Sequence, residues 1–239
     1  MLKILIITGG SKGIGKGIVD AYLANDYQIY TISRSLNKAL TTATQIKYDL
    51  SKTEGIKDLL FDLFKNIKSN EVEKITLINN AGTLGKIGKI EDINDIENTV
   101  KLNTITPLII NSAFIALTKN WKAEKHIINI SSGAAYKPYS GWTVYCSSKA
   151  AIDMMTQTIA LEQEEVENGA KVIAIYPGVV DTEMQAEIRK SDKANFASID
   201  RFLDLKKNNA LANATTVGKQ IFDLDHSNIK NGSLIRLEE

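Results

Sequence analysis

Short, almost unbroken apolar runs alternate with longer amphipathic stretches along the whole chain, and this alternation restricts the fold more than any other feature. The runs at Leu2–Thr8, Gln28–Ser33, Ile46–Asp49, Ile75–Asn79, His126–Ser131, Lys171–Tyr176 and Ser233–Arg236 read as strands. Several are apolar at consecutive positions, which suits a strand covered on both faces. Helical periodicity is expected between them, at Gly13–Asn25, Thr53–Ile67, Thr104–Thr118, Thr143–Glu165 and Thr216–Asp223. Strand and helix in strict alternation predict an α/β fold: a doubly wound, Rossmann-like parallel sheet of about seven strands with helices on both faces. A chain of 239 residues suits one such domain spanning residues 1–239. The segment 182–213 breaks the pattern, mixing polar residues with Met184, Ile188, Phe196, Ile199, Phe202 and Leu205. It reads as short helices capping a ligand cleft, or alternatively as a packed surface insertion.

Composition narrows the partners. Lys+Arg total 29 and Asp+Glu total 28, a net charge of +1. No global field draws in nucleic acid or an anionic membrane, which leaves a small molecule as the expected partner. The single cysteine, Cys146, cannot form an internal disulfide and fits a reducing, cytoplasmic setting. The start at Met1 shows no leader pattern, and no apolar stretch near eighteen residues is expected to span a membrane. His126 and His226 have no second His, Cys or carboxylate at metal-ligand spacing, so structural roles and no metal are expected.

Chemistry first appears at Thr8-Gly9-Gly10-Ser11-Lys12-Gly13-Ile14-Gly15, between the first strand and the first helix. Glycines there allow a tight turn and a close backbone approach to a pyrophosphate, and the free N–H groups of the helix start attract its charge. Where NAD-selective folds place an acidic residue at the end of the second strand, this chain has Ser33-Arg34-Ser35. A carboxylate would repel a 2′-phosphate, whereas the Arg34 guanidinium can hold it, with Lys12 as a second cation. NADPH is therefore the expected cofactor.

Tyr145-Cys146-Ser147-Ser148-Lys149 opens a helical segment, and a spacing of four puts phenol and ammonium on one face. A cation so placed is expected to lower the phenol's pKa and make it a better proton donor. Ser131-Ser132, Asn79-Asn80-Ala81-Gly82 and Pro177-Gly178 each close a strand, at the sheet edge where open α/β folds bind ligands.

Taken in order, Thr-Gly-x-x-x-Gly-x-Gly at 8–15, Asn-Asn-Ala-Gly at 79–82, Ser132, Tyr-x-x-x-Lys at 145–149 and Pro-Gly at 177–178 resemble the short-chain dehydrogenase/reductase family. The resemblance implies Tyr145 as proton donor, Ser132 rather than Ser131 as the group bonding the carbonyl oxygen, and Lys149 as holder of the nicotinamide ribose. It implies that Asn103 supports a water-linked proton relay. It places Gly9, Ser11, Lys12, Gly13, Ile14 and Gly15 at the pyrophosphate, Asp49 and Leu50 beside adenine, and Asn80, Ala81 and Gly82 along the adenine ribose and nicotinamide side. Pro177 and Gly178 would also border the cofactor, and Val180 and Thr182, just after them, would clasp the carboxamide. It also implies a homo-oligomer, a dimer above all, packed through the helix that carries Tyr145.

A narrower likeness, through Ser140–Cys146, Ala160-Leu161-Glu162, Pro177–Gln185, Asn129–Gly133 and Ile188-Arg189, points to the branch containing sepiapterin reductases and bacterial benzoin-forming benzil reductases. Both reduce one carbonyl of a vicinal pair. Trp142 and Met184 would wall an aryl substrate, although Trp142 can equally be packing for its loop. Where sepiapterin reductases carry an acidic residue near the C-terminus, this chain has Arg236, with Glu238 or Glu239 as possible substitutes. A dicarbonyl substrate is expected ahead of a pterin. The reading from another class is a dinucleotide-binding sensor without turnover.

Overall fold

The computed structural model describes residues 1–237; Glu238 and Glu239, the suggested acidic substitutes, lie outside the described residues. Seven parallel strands form one sheet in the order β3-β2-β1-β4-β5-β6-β7. They are β1 Leu2–Thr8, β2 Gln28–Ser33, β3 Thr44–Lys47, β4 Val72–Asn79, β5 Glu124–Ile130, β6 Lys171–Tyr176 and β7 Leu234–Arg236. The helices are α1 Gly13–Leu23, α2 Ile56–Phe64, α3 Ile96–Val100, α4 Thr106–Thr118, α5 Thr143–Glu164, α6 Glu183–Ile188, α7 Ile199–Lys207 and α8 Ala214–Asp225. The Rossmann-like arrangement expected from the alternation is what forms.

The centre of the sheet shows why the apolar runs are unbroken. Ile6 of β1 lies opposite Tyr30 of β2 and Leu77 of β4. Ile4 and Ile6 face the layer that holds α2 and α4, where they meet Leu60, Phe64, Ile110 and Phe114. Leu5 and Ile7 face the opposite layer, against Ile18 of α1 and Val217 and Ile221 of α8. Each such side chain contributes about 1.5–3 kcal/mol by leaving water. Helices α1 and α8 cross at backbone contact: a Cβ on Gly17 would lie 2.0 Å from the Ala214 carbonyl oxygen, and one on Gly218 2.1 Å from the Gly17 carbonyl carbon. Only glycine permits that approach.

Differences from the expected boundaries have local causes. β4 begins at Val72 because Lys74, charged but buried, continues the strand inward. β3 sits at Thr44–Lys47, two residues early, because as an edge strand with polar Thr44 and Gln45 it lacks an apolar signature. α3 and the π-helical turn Lys101–Ile105 precede α4 directly. The combined helix Ile96–Thr118 corrects the expectation that no long apolar stretch exists: by length and composition it could cross a membrane. Its inner side nevertheless places Ile110 and Phe114 in the sheet core and buries Asn103 and Asn111.

At the N-terminal end of the strands lies a buried ionic cluster. The Asp225 carboxylate, ending α8, accepts from Tyr22 (2.8 Å) and Thr76 (2.9 Å), meets His126 Nδ1 at 2.5 Å and has the Lys74 ammonium at 3.4 Å. Nε2 of His126 faces Glu124 at 2.7 Å. His126 thus has the structural role expected of it, with a partner 99 positions away that no local spacing reveals. Burial alone would raise the Asp225 carboxyl, but the hydrogen bond and charge of His126, then Lys74 and Tyr22, outweigh it and hold its pKa at about 2. Because the folded value lies below the unfolded one, this carboxylate stabilises the fold above about pH 4, and the contribution, about 2 kcal/mol, disappears as pH falls toward 2. Urea unfolding of wild type and Asp225→Asn at pH 6, 4 and 2.5 checks this: the gap between them narrows on acidification, and a constant gap contradicts it.

Candidate active site

The carboxyl ends of the strands converge on a cleft of about 920 Å³. The strand order reverses between β1 and β4, so the crevice opens where parallel sheets place ligands. The glycine turn forms one wall. Gly13 has φ +55°, which a side chain would strain, and a Cβ there would lie 3.3 Å from Thr182 Cγ2 across the cleft. Thr8 Oγ1 accepts from the backbone N–H groups of Asn80 and Ala81, each at 3.0 Å. The Asn80 amide donates to the Thr8 and Gly9 carbonyls at 3.0 and 3.1 Å. Asn80 therefore shapes the turn from behind, while Ala81 and Gly82 line the cleft beside it.

At the distal end lie Arg34, Ser33 and Lys12. Arg34 is exposed at the rim. The loop bearing it is tied to the glycine turn by Asn37 Nδ2 donating to the Ser11 carbonyl at 2.8 Å and by a Ser11–Ser35 hydroxyl contact at 3.4 Å. Ser33 Oγ lines the same wall, buried and without a partner among the described residues. Lys12 differs from expectation. Its ammonium pairs with Glu183 in the first turn of α6, so its charge is partly neutralised. Asp49 and Leu50 lie on the neighbouring wall, with Asp49 lowered chiefly by hydrogen bonds from Ser51, and to a smaller extent by the charges of Arg34 and Lys52.

The inner end gathers Ser132, Tyr145 and Lys149. Tyr145 and Lys149 occupy the first two turns of α5 and both are buried. Both serines line the cleft, but Ser131 donates to Asp153 at 2.6 Å, whereas Ser132 caps the short turn Gly133–Ala135. Burial raises the Tyr145 phenol above its ordinary value, a hydrogen bond with Ser132 opposes this, and Cys146 adds slightly to the rise. Burial also lowers the Lys149 ammonium to about 8, with the Asp153 charge working against it. The expected lowering of the phenol by Lys149 is thus corrected. The ammonium donates to the Ile130 carbonyl at 2.7 Å and stands 5.8 Å from the Tyr145 ring centroid, and the serine is what pulls the phenol down.

Asn103 sits in the π-helical turn, whose widened register points its amide inward. The amide accepts from Thr83 N–H (2.9 Å) and donates to the Thr83 carbonyl (2.8 Å) and Ser148 Oγ (3.1 Å). A Cβ on Gly82 would meet Asn103 Oδ1 at 3.4 Å and Lys149 Nζ at 3.8 Å, so the two flank that glycine. Pro177, Gly178, Val180 and Thr182 all line the cleft. Val180 bridges to Ala212, and Thr182 Oγ1 accepts from Gln185 N–H at 3.4 Å, starting α6.

Trp142 packs its loop and also borders the cleft. Its ring stacks on Phe196 (4.5 Å, 8°), meets the Tyr145 ring edge-on at 5.7 Å, and forms part of the cleft wall. Met184 packs partly buried against the same aromatic cluster and also lines the cleft. Sequence reasoning missed Tyr136, Tyr139, Tyr176 and Arg201, which line this end as well. Tyr176 stands immediately before Pro177-Gly178, a signal that was available. Tyr136, Tyr139 and Arg201 lie in irregular or inserted chain and left none.

Comparison with known proteins matches this geometry. The short chain dehydrogenase family model fits residues 3–193. A benzil reductase ((S)-benzoin forming) of Bacillus cereus is 37% identical over 249 residues, with 100% of both chains covered. Its counterpart from Bacillus subtilis is 34% identical, covering 100% of this chain and 99% of that one. A solved short-chain dehydrogenase/reductase from Saccharomyces cerevisiae superposes with a TM-score of 0.85 at 26% identity, over 99% of this chain and 96% of that one.

Proposed function

The chain belongs to the short-chain dehydrogenase family and is an oxidoreductase, and from that premise we propose that it is an NADPH-dependent carbonyl reductase acting on one carbonyl of a vicinal dicarbonyl compound. The observation that carries the reading is the inner wall, where the Tyr145 phenol, the Ser132 hydroxyl and the Lys149 ammonium come together along a dinucleotide-sized cleft.

The cleft residues would hold a nicotinamide dinucleotide, which when bound would supply the hydride for the carbonyl carbon. Tyr145 keeps its proton at neutral pH, since burial raises it, and gives that proton to the carbonyl oxygen as charge develops there. Ser132 shares a hydrogen bond with the phenol and holds the same oxygen in place. Lys149, titrating near 8, stays an ammonium at neutral pH and holds the ribose hydroxyls while offsetting phenolate charge. Asn103 supports proton return by fixing Thr83 and Ser148 around Gly82. The glycine turn and the start of α1 would take the pyrophosphate, Asp49 and Leu50 would border the adenine, and Val180 and Thr182 would clasp the carboxamide. Segment 182–213 caps the substrate, with Trp142 and Met184 as its apolar wall.

Arg34 and the unpartnered Ser33 hydroxyl favour NADPH over NADH, and the Lys12–Glu183 pair leaves most of that preference to Arg34. With benzil as substrate, kcat/KM for NADPH exceeds that for NADH by about tenfold or more, as expected for a charge-assisted phosphate contact, and Arg34→Asp reverses the order. A preference for NADH in the wild type overturns the assignment. Activity on sepiapterin with none on benzil would favour the pterin reading instead.

Exposed Met154 and Leu161 on α5, with Leu108 on α4, fit a homodimer packed through these helices. The free Cys146 suits a cytoplasmic enzyme.

A further inference from the structure

Beyond Ser132 and Tyr145, the substrate end of the cleft carries charge that reduction of a neutral ketone does not use. Lys137, Arg201 and Arg236 all line it. Each is seated on an aromatic ring: Arg236 lies 5.1 Å from the Tyr136 centroid, Lys137 5.6 Å from that of Tyr139, and Arg201 5.5 Å from that of Phe202. Arg201 also donates to the Tyr139 hydroxyl at 2.6 Å. None of the three has a carboxylate within 4 Å among the described residues. The neighbouring acids are already engaged. Asp181 pairs with Lys206 at 2.7 Å, Glu183 pairs with Lys12, and Asp153 accepts from Ser131 and Tyr176. Among the described residues, Glu187 lines the same cleft without an ion pair, one carboxylate against the three cations.

The position of Arg236 relative to the chemistry follows from Tyr136. The Tyr136 hydroxyl lies 3.5 Å from where a Cβ on Gly133 would be, so its ring folds back beside the residue that follows Ser132. That ring packs on Tyr176 at 5.7 Å and 33°. Arg236, over the same ring, therefore stands on the Tyr136 side of the cleft, with that ring between it and the turn that follows Ser132.

We propose that the physiological substrate is an aryl dicarbonyl compound bearing a carboxylate about one ring beyond the reacting carbonyl, its anion held by Arg236 together with Lys137 and Arg201. The inference rests on the carbonyl-reductase reading and narrows its substrate class. The substrate's aryl ring lies along Tyr136, and the guanidinium supplies paired donors to the carboxylate. Glu187 opposes an anionic group at the same end only weakly, being outnumbered.

Two probes of equal shape that differ by one charge test this: 4-carboxybenzil and 4-carbamoylbenzil, reduced with NADPH. The wild type reduces the carboxylate with a kcat/KM about tenfold higher, mostly through KM, and the advantage shrinks between 0.05 and 0.5 M salt, as an exposed charge contact must. Arg236→Gln brings the ratio toward one. Lys137→Gln lowers it less, and serves as the second variant should Arg236→Gln fold poorly. Equal rates on the two probes, or a ratio that survives both substitutions and high salt, overturns the inference and leaves the carbonyl-reductase reading intact. Failure to reduce either probe or benzil itself overturns both.

Discussion

Replacing Tyr145 with Phe lowers kcat for benzil reduction by about 10²–10⁴-fold, the usual contribution of a positioned general acid. The ring itself is held by packing: Trp142 meets it edge-on at 5.7 Å, and the side chain is 8% exposed within the aromatic cluster that also holds Phe196 and Phe202. Phe preserves those contacts, so what is removed is the hydroxyl, its proton and its hydrogen bond with Ser132. The loss falls on kcat because the proton moves only as the carbonyl oxygen becomes an alkoxide. Circular-dichroism melting within a few degrees of wild type, by the size scaling expected for a small stability change, accompanies the kinetic loss. A well-folded Tyr145→Phe protein turning over at near the wild-type rate would remove the phenol from the mechanism.

The second large effect is structural. Asp225→Ala destabilises the fold by about 3–5 kcal/mol, because it leaves the buried Lys74 ammonium with only the half-exposed Glu124 carboxylate, at 3.8 Å, as counter-charge. Lys74 is 5% exposed and His126 6%, and both are oriented by this carboxylate. Tyr22 and Thr76 lose an acceptor in the same substitution. The cluster links β4, β5, α1 and α8, so its loss loosens the helical layer against the sheet. Equilibrium urea unfolding at neutral pH measures it, and a change under about 1 kcal/mol, the range of an exposed ion pair, would show the cluster to be solvated.

These two residues differ in how far the sequence discloses them. Tyr145 is legible because its chemistry is local: Lys149 is one helical turn away, and Ser132, Gly82 and Gly178 each end a strand whose apolar run is unmistakable. The same logic makes the parallel sheet readable, since strands buried on both faces cannot hide their composition. Asp225 is silent, as its partners are up to 203 positions distant and meet only when the sheet closes against α8. Asn103 was found by likeness, but the π-turn that aims it has no periodicity of its own. Lys74 interrupted the apolar run that marks β4, which hid the start of that strand. The Lys12–Glu183 pair shows a further limit. Lys12 reads as a free cation along the chain, and only the fold of α6 brings its neutralising partner across. The pKa directions follow the same rule, because burial, which governs both Tyr145 and Lys149, is a property of the packed cleft rather than of a four-residue spacing.

The most direct test of the proposed chemistry is a crystal structure with NADP⁺ bound. The account predicts the nicotinamide ring against Ser132 and the Tyr145 hydroxyl, with Lys149 at its ribose and Arg34 at the 2′-phosphate. A nicotinamide lodged elsewhere, with the phenol and the ammonium turned away from it, would contradict it.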